Sequence, residues 1–148
     1  MIETPRSIDR EMGTAVTISS ALRDGILTHA RRDEGREVCG LLLGGESHIA
    51  QVVPSRNVAS DTRRRFEIDP LTLLAAHRAA RTGATPVIGH YHSHPAGIAR
   101  PSPRDAEDAA PDGSIWLIVA GMEVTAWRAV EAGTVEGRFT PLSLHVVD

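Results

Sequence analysis

Residues 86–94, PVIGHYHSH, place a histidine at every second position near the end of a short apolar segment. Successive side chains of an extended strand point to opposite faces, so the three histidines would share one face of a strand. A helix of 3.6 residues per turn would scatter them around its surface. The segment therefore predicts a strand over Pro86–His94, with Ile88, His90, His92 and His94 on one face and Val87, Gly89, Tyr91 and Ser93 on the other.

The length of the chain limits its domain organisation. At 148 residues it can build one well-buried core, and a second domain would be too small to bury its own, so we expect a single domain over residues 14–148. Residues 1–13 are polar and lack the apolar stretch of a secretory signal. We expect a flexible leader there.

Charge and hydropathy argue against two kinds of partner. The net charge is −3, which gives no basic footprint for nucleic acid, and no apolar run approaches the roughly 18 residues of a membrane span. A single cysteine, Cys39, cannot form an internal disulfide, so we expect a cytoplasmic protein. The sequence does not predict an oligomeric state.

Helical and strand patterns alternate along the chain. Apolar residues recur every four positions over Thr17–Arg32, behind the possible caps Ser19 and Ser20, and predict a first helix. Asp69 and Pro70 predict the start of a second helix, which runs over Leu71–Arg81 and stops at Gly83. Further strands are predicted over residues 38–43, 47–53, 115–120, 124–130 and 135–147. A short helix is predicted to begin with Ser102–Asp105 and to end at Pro111–Gly113. The class is α/β or α+β, with three layers around a mixed sheet.

The alternating histidines form a possible metal site. Residues two apart on a strand have Cα atoms about 6.6 Å apart, so their imidazoles can meet one ion, and by geometry His90/His92 and His92/His94 are equally good pairs. Asp105, eleven residues after His94 and across a proline-bounded loop, can supply a third ligand. Two histidines and a carboxylate leave a fourth zinc position for water, the open arrangement of hydrolytic sites.

The stretch Ser102-Pro103-Arg104-Asp105 has a second interpretation. Serine at the N-cap, proline at the first helical position and an acid at the third form a capping box, which needs no metal. The two interpretations are compatible, because a carboxylate has two oxygens and the helix start fixes where Asp105 points.

Taken together, these residues resemble a known motif. His92-Ser93-His94, seven residues, Ser102, two residues and Asp105 match H-[ST]-H-x7-S-x2-D of the JAMM (MPN+) zinc metalloproteases. Glu37, in EVCGLLLG, is similar to the glutamate strand of that family, in the same order along the chain.

The resemblance implies a role for each matched residue. His92 and His94 would hold one zinc ion with its bound water from a strand end, and Asp105 would hold it from the following helix. Glu37 would act on the water as general base and then acid, and Ser102 would place its hydroxyl beside the developing oxyanion. The implied fold is the three-layer MPN fold, similar to that of cytidine deaminases, with a central mixed sheet flanked by helices.

Members of the family resembled here cleave the peptide or isopeptide bond after the C-terminal Gly-Gly tail of ubiquitin-like proteins, and compact prokaryotic members also act on sulfur-carrier proteins. Only 55 positions separate Glu37 from His92 and 43 follow Asp105, too few for the long insertions of eukaryotic deubiquitinases. A ubiquitin-like or sulfur-carrier protein is therefore the expected substrate. We expect its thin, extended tail to dock by strand addition to a sheet edge beside the zinc.

Three other functions stay open. A metal-free MPN domain would be a binding scaffold, although here all the ligands are present. A RadC-type DNA-repair domain carries a similar histidine and aspartate string, but the Glu37 strand and the negative net charge argue against it. Two histidines and a carboxylate also bind non-haem iron(II), which metal analysis would distinguish from zinc.

Some residues near the motif have weaker interpretations. Cys39 shares the strand of Glu37 and is expected to be a small buried residue, although it could face the site. His90 is expected to line the groove without binding metal. Arg63, Arg64 and Arg65 are expected to form a solvated loop, or alternatively to contact an acidic face of a protein substrate.

Overall fold

The structure is a computed structural model that describes residues 14–148, so the predicted leader over residues 1–13 lies outside the described residues. Its strands and helices alternate along the chain. In order they are β1 (Ala15–Ser19), α1 (Ser20–Arg31), β2 (Cys39–Gly44), β3 (His48–Ser55), α2 (Pro70–Arg81), β4 (Val87–Ser93), α3 (Pro103–Asp108), β5 (Ile115–Ala120), β6 (Glu123–Gly133) and β7 (Gly137–Val147).

The seven described strands form one mixed sheet that closes on itself in the order β1-β3-β2-β4-β5-β6-β7. The strand β1 closes it, pairing in parallel with β3 on one side and β7 on the other. β4 runs antiparallel to β2 and parallel to β5. The mixed α+β class is confirmed. The pairing of β1 with β3 covers only Thr17 with His48 and Ile18 with Ile49. The expected addition of a substrate strand to a sheet edge stays a prediction.

One face of the sheet is aliphatic and covered by α1. This helix contributes Ile26 and Leu27, which pack with core side chains from all seven described strands. The strand residues of this cluster are Val16, Ile18, Leu42, Ile49, Tyr91, Ile115, Leu117, Val119, Ala126 and Leu142. Burial of this apolar surface holds α1 against the sheet.

The opposite face is aromatic. Trp116, Trp127 and Phe139 are its largest buried side chains, and Phe66 from the loop after β3 and Ala106 from α3 pack against them. Both tryptophans lie in the core. Helices or loops therefore cover both faces, and the aromatic face carries His90 and His92.

The predicted start of the first helix is wrong. Thr17 and Ile18 belong to β1, and α1 begins at Ser20, with the Ser19 hydroxyl accepting a hydrogen bond from the amide of Leu22. Ile18 is spaced four residues from Leu22 but is buried as a strand residue between β3 and β7. Long-range pairing has overridden the helical spacing.

The second helix is confirmed. The Asp69 carboxylate accepts a hydrogen bond from the amide of Leu71, Pro70 is the first helical residue, and Gly83 follows with a φ of +107°. That φ lies in the left-handed region, which glycine adopts without strain. Among residues 14–148, no helix is both long and apolar enough to cross a membrane.

One predicted side-chain direction on β4 is also wrong. The pairing of β2 with β4 shifts register between Leu42 and Leu43, which lie opposite Gly89 and Val87. Ile88 lies at this irregularity and packs against the aliphatic cluster instead of sharing the face of His90 and His92. A bulge of this kind redirects one side chain while the rest of the strand keeps its alternation.

Candidate metal centre

Three predicted ligands converge where β4 ends and α3 begins. The Nε2 atoms of His92 and His94 lie 3.1 Å apart. Asp105 Oδ1 lies 3.3 Å from His92 Nε2, and Asp105 Oδ2 lies 3.2 Å from His94 Nε2. These ligand atoms all lie within 4.8 Å of one another, which is close enough for one ion to contact all three. The donor set fits a divalent metal with an open coordination position.

Backbone groups orient two of these ligands. The Nδ1 of His94 is 2.9 Å from the carbonyl oxygen of Ile98, so Nδ1 carries the proton and donates while Nε2 keeps its lone pair for the site. The amide of Ser102 donates to Asp105 Oδ2 at 2.9 Å, and the Ser102 hydroxyl accepts from the amide of Asp105 at 3.0 Å. The capping box is therefore present, and it holds the carboxylate that faces the histidines.

His92 is held by packing. Its ring is fully buried and stacks on Phe66 with ring centroids 4.2 Å apart and planes 16° apart, and Trp116 meets it edge-on. Its Nδ1 has no hydrogen-bond partner among the described residues. The contact of Phe66 with His92 was not predicted, because the two residues lie 26 positions apart and no sequence pattern connects them.

The β2–β4 pairing brings Glu37 to the same place. Cys39 lies opposite His92, and the amide of Ser93 donates to the carbonyl of Val38 at 3.0 Å, which continues the ladder past the strand end. The Val38 amide in turn donates to the Ser93 hydroxyl at 2.9 Å, a contact that the sequence analysis did not anticipate. In this antiparallel register Glu37 falls opposite His94.

The Glu37 side chain is buried, and one of its two carboxyl oxygens lacks a hydrogen-bond partner among the described residues. The residue is 8% exposed, and its Oε1 has no hydrogen-bond partner among the described residues. Burial raises the pKa of Glu37 to about 7, against the opposing effect of His94. A buried acceptor without a partner is rare in a folded protein, and at a site it indicates a group that meets a water or substrate.

The charge states of His92 and Asp105 suit metal binding. Burial lowers the pKa of His92, so its imidazole is neutral near pH 7. Burial alone would lower the pKa of His94, but hydrogen bonds to Asp105 and to the Ile98 carbonyl outweigh burial and raise it. Burial alone would raise the pKa of Asp105, yet hydrogen bonds with both histidines hold it well below its usual value. Asp105 is therefore an anion near pH 7, as a metal-binding carboxylate would be.

The structure separates the two histidine pairs that spacing alone left equal. His90 is not in the ligand group; its ring lies 4.2 Å from that of Trp116 and 4.9 Å from that of Phe66, between centroids. Burial lowers the pKa of His90 to about 3, so it stays neutral. It packs beside the site as expected, two residues before His92 on the same face of the strand.

Cys39 is fully buried, as expected for a small core residue. Its Sγ lies 3.7 Å from the carbonyl oxygen of Arg56, and burial raises its pKa to about 12, so the thiol remains protonated. Arg63, Arg64 and Arg65 are all exposed, in agreement with a solvated loop.

Comparison with known proteins places this site in a family. The model of a family described as prokaryotic homologues of the JAB domain matches residues 19–130. The chain belongs to this family. The predicted JAMM relationship is thereby confirmed.

Two relatives and one solved structure illustrate how far the similarity of this JAB-domain protein extends. A desampylase of Haloferax volcanii is 34% identical over 109 residues, which are 70% of this chain and 78% of the relative. The CysO-cysteine peptidase of Mycobacterium tuberculosis is 26% identical over 137 residues, 90% of this chain and 92% of the relative. A solution structure of a Desulfitobacterium hafniense protein has a TM-score of 0.76, 25% identity, and coverage of 90% and 93%. With such relatives, the JAB-domain chain is a hydrolase of the peptidase type.

Proposed function

We propose that this chain is a zinc-dependent peptidase or isopeptidase that hydrolyses the bond after the C-terminal Gly-Gly tail of a ubiquitin-like or sulfur-carrier protein. The observation that carries the proposal is the pairing of a three-ligand group, His92, His94 and Asp105, with the buried side chain of Glu37, whose Oε1 has no hydrogen-bond partner among the described residues. A structural metal site would have four protein ligands and no need of a partly protonated acid beside it.

The donor chemistry favours zinc. Two neutral imidazoles and one carboxylate are ligands that zinc binds readily, and three protein ligands leave one position open. A zinc ion bound there would supply a Lewis acid and lower the pKa of a coordinated water towards neutrality. The same ligands can hold iron(II), so metal analysis of protein purified without added metal belongs in the test.

Glu37 is the proposed proton carrier. With a pKa of about 7 it can accept a proton from the attacking water as the new carbon–oxygen bond forms. It can then pass that proton to the nitrogen of the breaking amide bond, so the leaving group departs as an amine. A positive ion beside Glu37 would lower its pKa from this value, which favours the base form in the resting enzyme.

Ser102 is proposed to stabilise the oxyanion. Its oxygen already accepts from the amide of Asp105, and this contact fixes the oxygen beside the ligand group while its O–H remains able to donate. Removing a preorganised oxyanion donor in other hydrolases costs about 3–4 kcal/mol of transition-state stabilisation. We expect Ser102→Ala to lower kcat and to keep the metal.

The substrate proposal rests on the relatives and on the fold. One relative carries the name CysO-cysteine peptidase and another the name desampylase, and both align over most of their length. The tail is proposed to lie extended beside the site, where its backbone can form hydrogen bonds with the protein. The extended stretch that includes Phe66, next to His92 and bridged to Asn57 through Ile68, is the proposed support.

The decisive experiment separates metal binding from hydrolysis. Glu37→Gln is expected to keep one equivalent of zinc and to lose cleavage of a Gly-Gly-tailed carrier fusion, measured by mass spectrometry. Asp105→Ala is expected to lose both. Glu107→Gln and Asp108→Ala, on exposed positions of α3, serve as matched controls and are expected to retain both. Cleavage by Glu37→Gln at the parent rate would refute the catalytic assignment, and iron at one equivalent in the parent would refute zinc.

A further inference from the structure

We propose that Arg31 recognises the free carboxylate of a single amino acid on the leaving side of the scissile bond. The proposal rests on the proposed peptidase function and narrows its substrate. It concerns a small pocket beside the metal centre to which neither the motif nor the family match assigns a role.

The pocket opens against the ligand His94. Its walls are the end of α1, the segment 33–36, the end of β4 with Pro95, and the turn between β5 and β6 with Met122. Its volume is about 240 Å³. That is below the usual 300–1,000 Å³ of pockets for drug-sized ligands and suits one residue of a substrate.

The position of the pocket identifies which part of a substrate enters it. The segment 33–36 forms one wall and leads directly into Glu37, the proposed donor of a proton to the leaving amine. His94, opposite Glu37 in the strand register, forms another. Phe66, which belongs to the proposed support for the Gly-Gly tail, lies on the side of the centre next to His92. The residue attached to the leaving nitrogen is therefore the part that lies next to this pocket.

Arg31 stands at the rim of the pocket. Its Nη1 lies 3.5 Å from the Sδ of Met122, so the side chain reaches from α1 to the β5–β6 turn. A thioether is a weak acceptor, and Arg31 makes no ion pair with the other residues in the range 14–148. A carboxylate that arrives there would accept two parallel hydrogen bonds from the guanidinium and displace the weaker contact.

The charges of the lining favour a free amino acid over a lysine side chain of a larger protein. Arg31 and Arg36 supply two positive charges, and Asp33 and Glu34 supply two negative ones. An amino acid released from an amide has one charge of each sign, a carboxylate and a new amine. A lysine within a protein has no carboxylate to offer.

The test compares three substrates built on one ubiquitin-like carrier that ends in Gly-Gly. The first is extended by one alanine with a free carboxylate, the second by alanine carboxamide, and the third is joined to the Nε of a lysine in a peptide. The parent is expected to cleave the first with a kcat/KM at least about tenfold above the second and third, through a lower KM, since a charge-assisted contact is worth roughly 10- to 100-fold.

Arg31→Gln is expected to remove that preference, lowering kcat/KM for the free-carboxylate substrate about tenfold or more and leaving the carboxamide unchanged. Arg32→Gln, the exposed neighbour outside the pocket, is the matched control and is expected to keep the preference. A readout without turnover uses the Glu37→Gln protein, in which adding Arg31→Gln is expected to raise the calorimetric Kd of the alanine-extended carrier by a similar factor.

The outcomes separate this inference from the function on which it rests. Equal cleavage of the free and amidated substrates by the parent, or an equal loss on both in Arg31→Gln, would overturn the role of Arg31 and leave the peptidase proposal intact. Failure of the zinc-loaded parent to cleave any of the three substrates would overturn the peptidase proposal, and the role of Arg31 with it.

Discussion

The two faces of the closed sheet are built from different kinds of side chain. The face under α1 is packed with aliphatic residues such as Leu117 and Ile18, and the opposite face with the aromatic residues Phe66, Trp116 and Phe139. Adjacent residues of β5 show the contrast, because Leu117 packs on the first face and Trp116 on the second. The aromatic face adjoins the metal ligand His92.

The difference shows how one sheet separates stability from function. Aliphatic side chains pack without polar requirements, so the α1 face contributes mainly burial. Flat rings can also stack on an imidazole and hold it in one orientation, so the aromatic face contributes burial and ligand geometry together. We therefore expect changes on the first face to alter the free energy of unfolding and changes on the second to alter metal affinity as well.

Leu117→Ala is expected to have the largest effect of the changes that bear on this comparison. The side chain is fully buried in the aliphatic cluster, and its loss leaves a cavity that costs about 2–5 kcal/mol of unfolding free energy. Denaturant unfolding measures this cost, and zinc titration of the folded variant is expected to give the parent Kd. A large rise in that Kd would show that the two faces are not separable.

Glu37 is expected to make the free energy of unfolding depend on pH. Its pKa rises from 4.5 to about 7 on folding, so the protonated form is favoured in the native state. Its contribution is fully present below pH 4.5 and is lost as the pH rises through about 7, a loss of roughly 3 kcal/mol. In metal-free protein, Glu37→Gln is expected to unfold at higher temperature than the parent at pH 8, with the difference disappearing at pH 4. No difference at pH 8 would contradict the raised pKa.

Phe66→Leu is expected to have the smallest effect and to test the aromatic face most directly. Losing the stack on His92 is expected to remove about 0.5–1.5 kcal/mol of zinc-binding free energy, so the zinc Kd is expected to rise about 2- to 10-fold. Phe139→Leu is the control, because Phe139 belongs to the same cluster and contacts Trp116, while no ring contact joins it to His92. It is expected to lower stability and to leave the Kd unchanged. Equal Kd values in both variants would mean that stacking does not position the ligand.

Local signals were sufficient for two helix starts and for the ligand group. One cap is a hydrogen bond from the amide of Leu71 to Asp69, and the other is a hydrogen bond from the amide of Asp105 to Ser102. Because these residues are two or three positions apart, the geometry of the caps depends little on the rest of the chain. The spacing of the motif, together with the family resemblance, selected the ligands His92, His94 and Asp105, and the structure brings them together. The catalytic roles of Glu37 and Ser102 remain predictions.

The sequence by itself therefore determined two capped helix starts, the alternation of β4 from Gly89 to Ser93 and the order of the motif residues, because each depends on near neighbours or on spacing. The tertiary structure decided that Thr17 and Ile18 form a strand, since their partners are β3 and the distant β7. It also decided that Phe66 stacks on His92 and that β1 closes the sheet between β3 and β7. These features depend on contacts between segments far apart in the chain, and periodicity carries no information about which distant segment will be the partner.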